Sequence, residues 1–186
     1  MAARRPAWAN LPNFLTLLRL LFVPVVVYEI VAGRYLLAGW LFGAAGITDI
    51  LDGLAARGMA VGTQVGAYFD PIADKCLLSG VYLALAWTHL VPWWLVAIIF
   101  GRDIYILFGV VVFMLLTPIR RFPPSVWGKV STFVQIATAV LWIANIVFRT
   151  RVLGELSSAM LWPCVGFTVW SGLDYTWKAI HTYRKY

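Results

Sequence analysis

The chain has 186 residues, of which 62% are hydrophobic, 16% aromatic and only 12% charged, about half the roughly 25% charged share of an ordinary soluble domain. That leaves too little charge to coat a water-facing surface. Soluble, disordered, collagenous and disulfide-stapled classes are therefore excluded, and a membrane protein is expected. The net charge of +7 comes from 15 basic and 8 acidic residues, with no basic tract dense enough for nucleic acid, so it is read as orientation in lipid. The two cysteines, Cys76 and Cys164, lie in apolar stretches, and the two histidines, His89 and His181, are far apart. Neither pair offers a zinc site, so metal chemistry here has to use carboxylates.

From the N-terminus, Arg4 and Arg5 precede an apolar stretch in the manner of a signal peptide. Arg19 interrupts that stretch and no small-residue cleavage site follows, so a retained first span is expected. A short interfacial helix over 6–12, with Trp8, leads into it. Breakers and charges then mark six segments, at 13–32, 35–57, 66–88, 92–117, 125–148 and 158–180. The separators are Gly33-Arg34, Gly58 to Gly66, His89 to Pro92, Pro118 to Pro124, and Arg149 to Ser158. Twenty or more residues at about 1.5 Å each cross the roughly 30 Å hydrocarbon core. The expected fold is an all-α integral membrane protein with six transmembrane helices, one domain over 1–186. Arg4, Arg5, Arg57, Arg120, Arg121, Lys129, Lys178, Arg184 and Lys185 fall at one set of segment ends, against Arg34, Arg149 and Arg151 at the other. This bias puts both termini on the cytoplasmic side, of the cytoplasmic membrane if the source is bacterial.

Four of the eight acids, Asp49, Asp52, Asp70 and Asp74, lie within 26 residues. An aspartate at a helix centre in lipid costs about 2.5–3.5 kcal/mol, so four would cost about 10 kcal/mol unless neutralised. Acids that merely sat among headgroups would not repeat at helical intervals. Members of each pair, three and four residues apart, share one helical face, so two neighbouring helices can aim four carboxylates at one point. Hard oxygen ligands of this kind suit Mg²⁺ or Mn²⁺. Gly53 and Arg57 follow Asp49 at i+4 and i+8, giving a stripe of carboxylate, bare backbone and guanidinium suited to a phosphate ligand.

The run Asp49-x2-Asp52-Gly53-x2-Ala56-Arg57-x8-Gly66-x3-Asp70-x3-Asp74 resembles, at every fixed position and gap, the signature of the CDP-alcohol phosphotransferase family. Pro12-Asn13-Phe14-Leu15-Thr16-Leu17-Leu18-Arg19 is similar to that family's first helix. The resemblance covers nearly the whole chain, and implies six transmembrane helices with the signature on the second and third, usually assembled as a homodimer. It implies transfer of a substituted phosphate from a CDP-linked donor to an acceptor hydroxyl, with release of CMP and a divalent metal at the aspartates. By position, Asp49, Asp52 and Asp70 would bind metal, Asp74 would be the general base and also touch metal, and Gly53, Ala56, Arg57 and Gly66 would line the CDP site. The signature would then stand at the cytoplasmic end of the spans, where a CDP headgroup enters while its acyl chains stay in lipid.

Other features leave alternatives open. Gly58, Gly62 and Gly66 form either a small-residue packing face or a flexible loop over the nucleotide. Asn13, Thr16 and Arg19 share one side of the first span, as nucleotide contacts or as an interfacial cap with a snorkelling Arg19. Lys75 is a counter-ion or a snorkelling lysine. Arg102-Asp103 is a structural ion pair, or Arg102 holds the acceptor. Arg120, Arg121 and Lys129 are orientation charges that would also attract an anionic acceptor. Asp174 with Lys178 reads as a helix-surface pair, and the many Trp and Tyr as an interfacial belt.

The phrase Asp70-Pro71-Ile72-Ala73-Asp74-Lys75 is similar to the glycerolipid branch of the family, the phosphatidylglycerophosphate synthases and the cardiolipin synthases of the CDP-alcohol type. Gly101-Arg102-Asp103 and Lys129-Val130-Ser131-Thr132 resemble the cardiolipin synthases more. The phosphatidylglycerophosphate synthases tend to carry Arg-Glu at the first place and a second lysine where Ser131 stands. The resemblance thus implies CDP-diacylglycerol as donor and a glycerol-bearing acceptor, phosphatidylglycerol ahead of glycerol 3-phosphate. A non-enzymatic transporter would distribute its acids along several helices, whereas these cluster at one end of two.

Overall fold

Helices form where apolar runs lie between breakers. The computed structural model describes the backbone of residues 11–59, 64–116 and 125–183 and the side chains of 18–48, 75–113, 115 and 125–181. Six helices follow one another: α1 (Leu11–Val31), α2 (Tyr35–Met59), α3 (Gln64–Trp87), α4 (Trp93–Leu116), α5 (Val126–Phe148) and α6 (Arg151–Tyr183). The first five match the expected segments to within two residues at each end. Among the described residues, Trp93–Phe113, Val126–Phe148 and Arg151–His181 are long and apolar enough to cross a membrane, and Tyr35–Thr48 and Lys75–Trp87 are shorter apolar stretches. Of the interfacial helix expected over 6–12, residues 6–10 lie outside the described residues, and Leu11 and Pro12 open α1.

The last helix departs from expectation. The separator expected from Arg149 to Ser158 shrinks to Arg149 and Thr150, and α6 runs for 33 residues. Arg149 takes a left-handed conformation (φ 48°), and its N–H donates to the Asn145 carbonyl at 2.9 Å, closing α5. The Thr150 hydroxyl then accepts the Leu153 N–H at 3.3 Å, capping α6. Arg151 pairs with Glu155 one turn on, at 2.8 Å. Charges that read as a loop are thus a corner and a stabilised first turn.

The chain divides into two compact units, Met1–Thr88 and His89–Tyr186. In the first, α1 packs against both α2 and α3. The buried side chains recur at helical spacing, with Val26 and Ile30 from α1, Ala38, Phe42 and Ala45 from α2, and Leu78, Val81, Tyr82 and Leu85 from α3. A Cβ at Gly80 of α3 would stand 3.1 Å from Val27 and 3.2 Å from Val23 of α1. The bare backbone is what permits this approach. Gly80→Leu is accordingly expected to cost about 1–3 kcal/mol through overpacking, read as a lower unfolding temperature of the detergent-solubilised protein.

The corner between α1 and α2 is a Schellman closure. Gly33 has φ 76°, the Arg34 N–H donates to the Glu29 carbonyl at 2.9 Å, and the Gly33 N–H to the Ile30 carbonyl at 3.0 Å. Arg34 Nη2 also donates to the buried Glu29 carboxylate at 2.9 Å, and its guanidinium lies 5.3 Å from the Tyr28 ring centre.

In the second unit, α6 packs against both α4 and α5. α4 contributes Leu95, Val96 and Ile99 to the core. The α5–α6 seam is polar, with Ser131, Gln135, Thr138, Ser157, Thr168 and Ser171 all buried. Gln135 Nε2 donates to Thr168 Oγ1 at 3.0 Å and to Ser131 Oγ at 3.3 Å, and Trp142 Nε1 to the Ser157 carbonyl at 3.1 Å. Since lipid tails are as apolar as leucine, small and hydroxylated residues of this kind hold membrane helices together.

Candidate functional site

The signature falls on two helices. α2 carries Asp49, Asp52, Gly53, Ala56 and Arg57, and α3 carries Gly66, Asp70 and Asp74. At about 100° per residue, the five α2 positions share an arc of about 140°, and the three of α3 an arc of about 80°. At about 1.5 Å per residue, Asp52 and Asp49 stand roughly 10 and 15 Å back from the end of α2 at Met59, and Asp70 and Asp74 roughly 9 and 15 Å beyond the start of α3 at Gln64. The four aspartate positions thus come in twos at matching distances from these helix ends. Their side chains lie outside the described residues, as do those of Asn13 and Thr16.

The donor set fits a hard divalent cation, being four carboxylates with neither thiol nor imidazole among them. Among the described residues, no three His, Cys, Asp or Glu side chains gather into a metal-sized group. Gly58 belongs to α2 and Gly66 to α3, with Gly62 outside the described residues. Of the two readings of these glycines, the single packing face fails, because Gly58 and Gly66 stand on different helices. Arg19 is only 3% exposed. That overturns the snorkelling reading and leaves a cation buried on α1, the helix against which both signature-bearing helices pack. Lys75, beside Asp74, is half-buried.

The acceptor candidates fall in the second unit. Arg102 Nη1 lies 2.7 Å from Asp103 Oδ1, so the ion pair exists. Arg102 Nε also donates to Ser171 Oγ of α6 at 3.0 Å, and Nη2 donates to the same oxygen. A Cβ on Gly128 of α5 would stand 3.3 Å from Arg102 Nη2 and 3.3 Å from Cε2 of Tyr175. The guanidinium therefore presses on the first turn of α5, which carries Lys129. The structure brings Arg102 and Lys129 to one helix end, while Arg120 and Arg121 lie outside the described residues.

Asp174 makes the expected i, i+4 pair with Lys178 and goes beyond it. Its side chain is 17% exposed and reaches beyond its own helix, because Ser125 Oγ donates to Asp174 Oδ2. Lys178 Nζ stands 3.0 Å from the same carboxylate oxygen and donates to Ser125 Oγ at 3.1 Å. The Ser125 N–H donates to the Tyr175 hydroxyl at 3.2 Å. Sequence reasoning missed this clasp since Ser125 is 49 residues from Asp174, far beyond any helical window.

Residues 9–170 match the model of the CDP-alcohol phosphatidyltransferase family, and the chain belongs to that family. It is 35% identical over 185 residues to a probable phosphatidylglycerophosphate synthase of Mycobacterium tuberculosis, covering 96% of this chain and 85% of that one. Identity is 32% to a CDP-diacylglycerol–glycerol-3-phosphate 3-phosphatidyltransferase of Bacillus subtilis, over 93% of this chain and 98% of the other. It is 31% to a probable CMP-forming cardiolipin synthase of Drosophila melanogaster, over 94% of this chain and 59% of the other.

Proposed function

We propose that this membrane protein transfers a phosphatidyl group from CDP-diacylglycerol to a hydroxyl of a glycerol-bearing acceptor and releases CMP. The observation that carries the reading is the complete signature on α2 and α3, with its aspartate positions paired at matching distances from the two helix ends. An antiparallel return of α3 along α2 would set the two pairs opposite one another.

Asp49, Asp52 and Asp70 would hold Mg²⁺ or Mn²⁺, with Asp74 touching a second ion, and the metal would neutralise charge developing on the diphosphate and the departing CMP. Gly53 and Ala56 leave the backbone open to the CDP, Arg57 forks onto the diphosphate, and Gly66 lets α3 approach. Asp74 takes the proton of the acceptor hydroxyl. The acceptor oxygen bonds to the phosphorus bearing diacylglycerol, the bond from that phosphorus to the CMP oxygen breaks, and CMP leaves with the electron pair. Arg102, Lys129, Arg120 and Arg121 supply positive charge for the phosphate that either acceptor carries.

Phosphatidylglycerol is the acceptor we favour. Ser131 is fully buried and engaged by Gln135, so this part of α5 offers no second lysine for a phosphate monoester. Glycerol 3-phosphate is the alternative, favoured by the names of the Mycobacterium and Bacillus relatives. The reading includes six spans, a homodimer, and a site and termini facing the cytoplasm. Purified protein given CDP-diacylglycerol, Mg²⁺ or Mn²⁺, and either acceptor should release CMP with one of them. Absence of CMP with both overturns the reaction.

A further inference from the structure

We propose that the start of α5 is an acceptor-positioning element, in which the Ser125–Asp174–Lys178 clasp and the bare backbone of Gly128 fix Arg102 and Lys129 against a phosphate-bearing acceptor. The inference rests on the function proposed above, and assigns work to residues that function does not use.

Three observations in the second unit converge on this helix end. First, Ser125, the residue before α5, is held from both sides. Its hydroxyl donates to Asp174 and accepts from Lys178 at 3.1 Å, while its backbone N–H donates to the Tyr175 hydroxyl at 3.2 Å. Ser125 is 1% exposed and makes no side-chain cap to its own helix. Its hydroxyl is therefore spent on α6 instead of on the usual capping bond, which argues for anchoring ahead of helix initiation. Second, Gly128 sits inside a helix, where glycine is unfavourable relative to alanine. A Cβ there would press on Arg102 Nη2 and on the Tyr175 ring, both at 3.3 Å, so the glycine gives up helix stability to admit the guanidinium. Third, that guanidinium is aimed by Ser171 and Asp103, at 3.0 and 2.7 Å, and Lys129 is the next residue after Gly128.

Two cations at one helix end, Arg102 of α4 held by Ser171 and Asp103 and Lys129 carried by the clamped start of α5, suit an anion that must be held in a single orientation. The phosphate is a diester in phosphatidylglycerol and a monoester in glycerol 3-phosphate, and both chemistries meet the same pair. Asp174 and Lys178 touch neither cation. They are positioning residues, acting through Ser125.

The test is steady-state CMP release by the purified full-length protein, with the concentrations of donor and of each acceptor varied separately. Asp174→Asn and Gly128→Ala are each expected to raise the acceptor KM about tenfold or more while leaving the CDP-diacylglycerol KM within about twofold. Lys178→Arg, which keeps the cation, should stay near wild type, and Lys178→Gln should follow Asp174→Asn. Glu155→Gln, in the exposed Arg151 pair, serves as the unaffected control. The acceptor whose KM moves identifies which phosphate is held. An active wild type whose variants keep the acceptor KM, or lose donor and acceptor KM together, overturns the positioning role alone. A wild type inactive with both acceptors overturns the reaction and this role with it. Gly128→Ala guards against misfolding, since alanine favours the helix.

Discussion

Asp74→Asn is expected to lower CMP release by about 10²–10⁴-fold while leaving the donor bound. Asparagine matches aspartate in shape and cannot accept the acceptor's proton. At the proposed site the hydroxyl would then have to lose its proton to water while attacking phosphorus. The loss should fall on kcat, with the CDP-diacylglycerol KM changed by no more than a few-fold. Asp74 stands on α3 at the same depth as Asp49 on α2, so the companion Asp49→Asn should behave differently, weakening metal and donor as well as turnover. Activity that survives Asp74→Asn would remove it as the base and require another proton acceptor.

Chelation of divalent cations is expected to bring CMP release to background, with Mg²⁺ or Mn²⁺ restoring it. At the proposed site four carboxylates would repel one another in a low-dielectric setting, and a cation between them would relieve that repulsion. The same argument predicts an effect without turnover. Adding metal at about 100 times its Kd should stabilise the folded protein by about 2.7 kcal/mol, read as a rise in unfolding temperature. In Asp49→Asn and Asp52→Asn the rise should shrink or vanish. Full CMP release in the presence of chelator would sink the metal site, and an unchanged unfolding temperature would weaken it from a second side.

Much of this was legible in the amino-acid order, for identifiable reasons. Five helices were placed by Gly33, His89 to Pro92 and the flanking charges, because a breaker acts locally. α6 was shortened by seven residues at its start, because Arg149, Arg151 and Glu155 look like a solvated loop when charge alone is read. The left-handed turn at Arg149 and the Thr150 cap depend on backbone angles that composition does not announce. The signature was legible since its members repeat at helical intervals within 26 residues. The clasp and the Arg102–Ser171 bond join residues 49 and 69 apart, and long-range pairing is invisible to periodicity. Burial of Arg19 was missed for a related cause, since a lone arginine near a helix end looks the same whether it turns outward or inward.

The hydroxyls and amide between α5 and α6 also govern how far these helices can slide. A greased interface in lipid has many nearly equivalent offsets, each with similar packing. Gln135 of α5 meets Thr168 of α6, and Trp142 of α5, about two turns on, meets the Ser157 carbonyl of α6. Displacing one helix by a single turn, about 5.4 Å, would take Gln135 from Thr168 and Trp142 from the Ser157 carbonyl, and an unsatisfied polar group in hydrocarbon costs several kcal/mol. The pair consequently has one register, with no graded series beside it. Any motion that admits a lipid substrate has to tilt or carry α5 and α6 together.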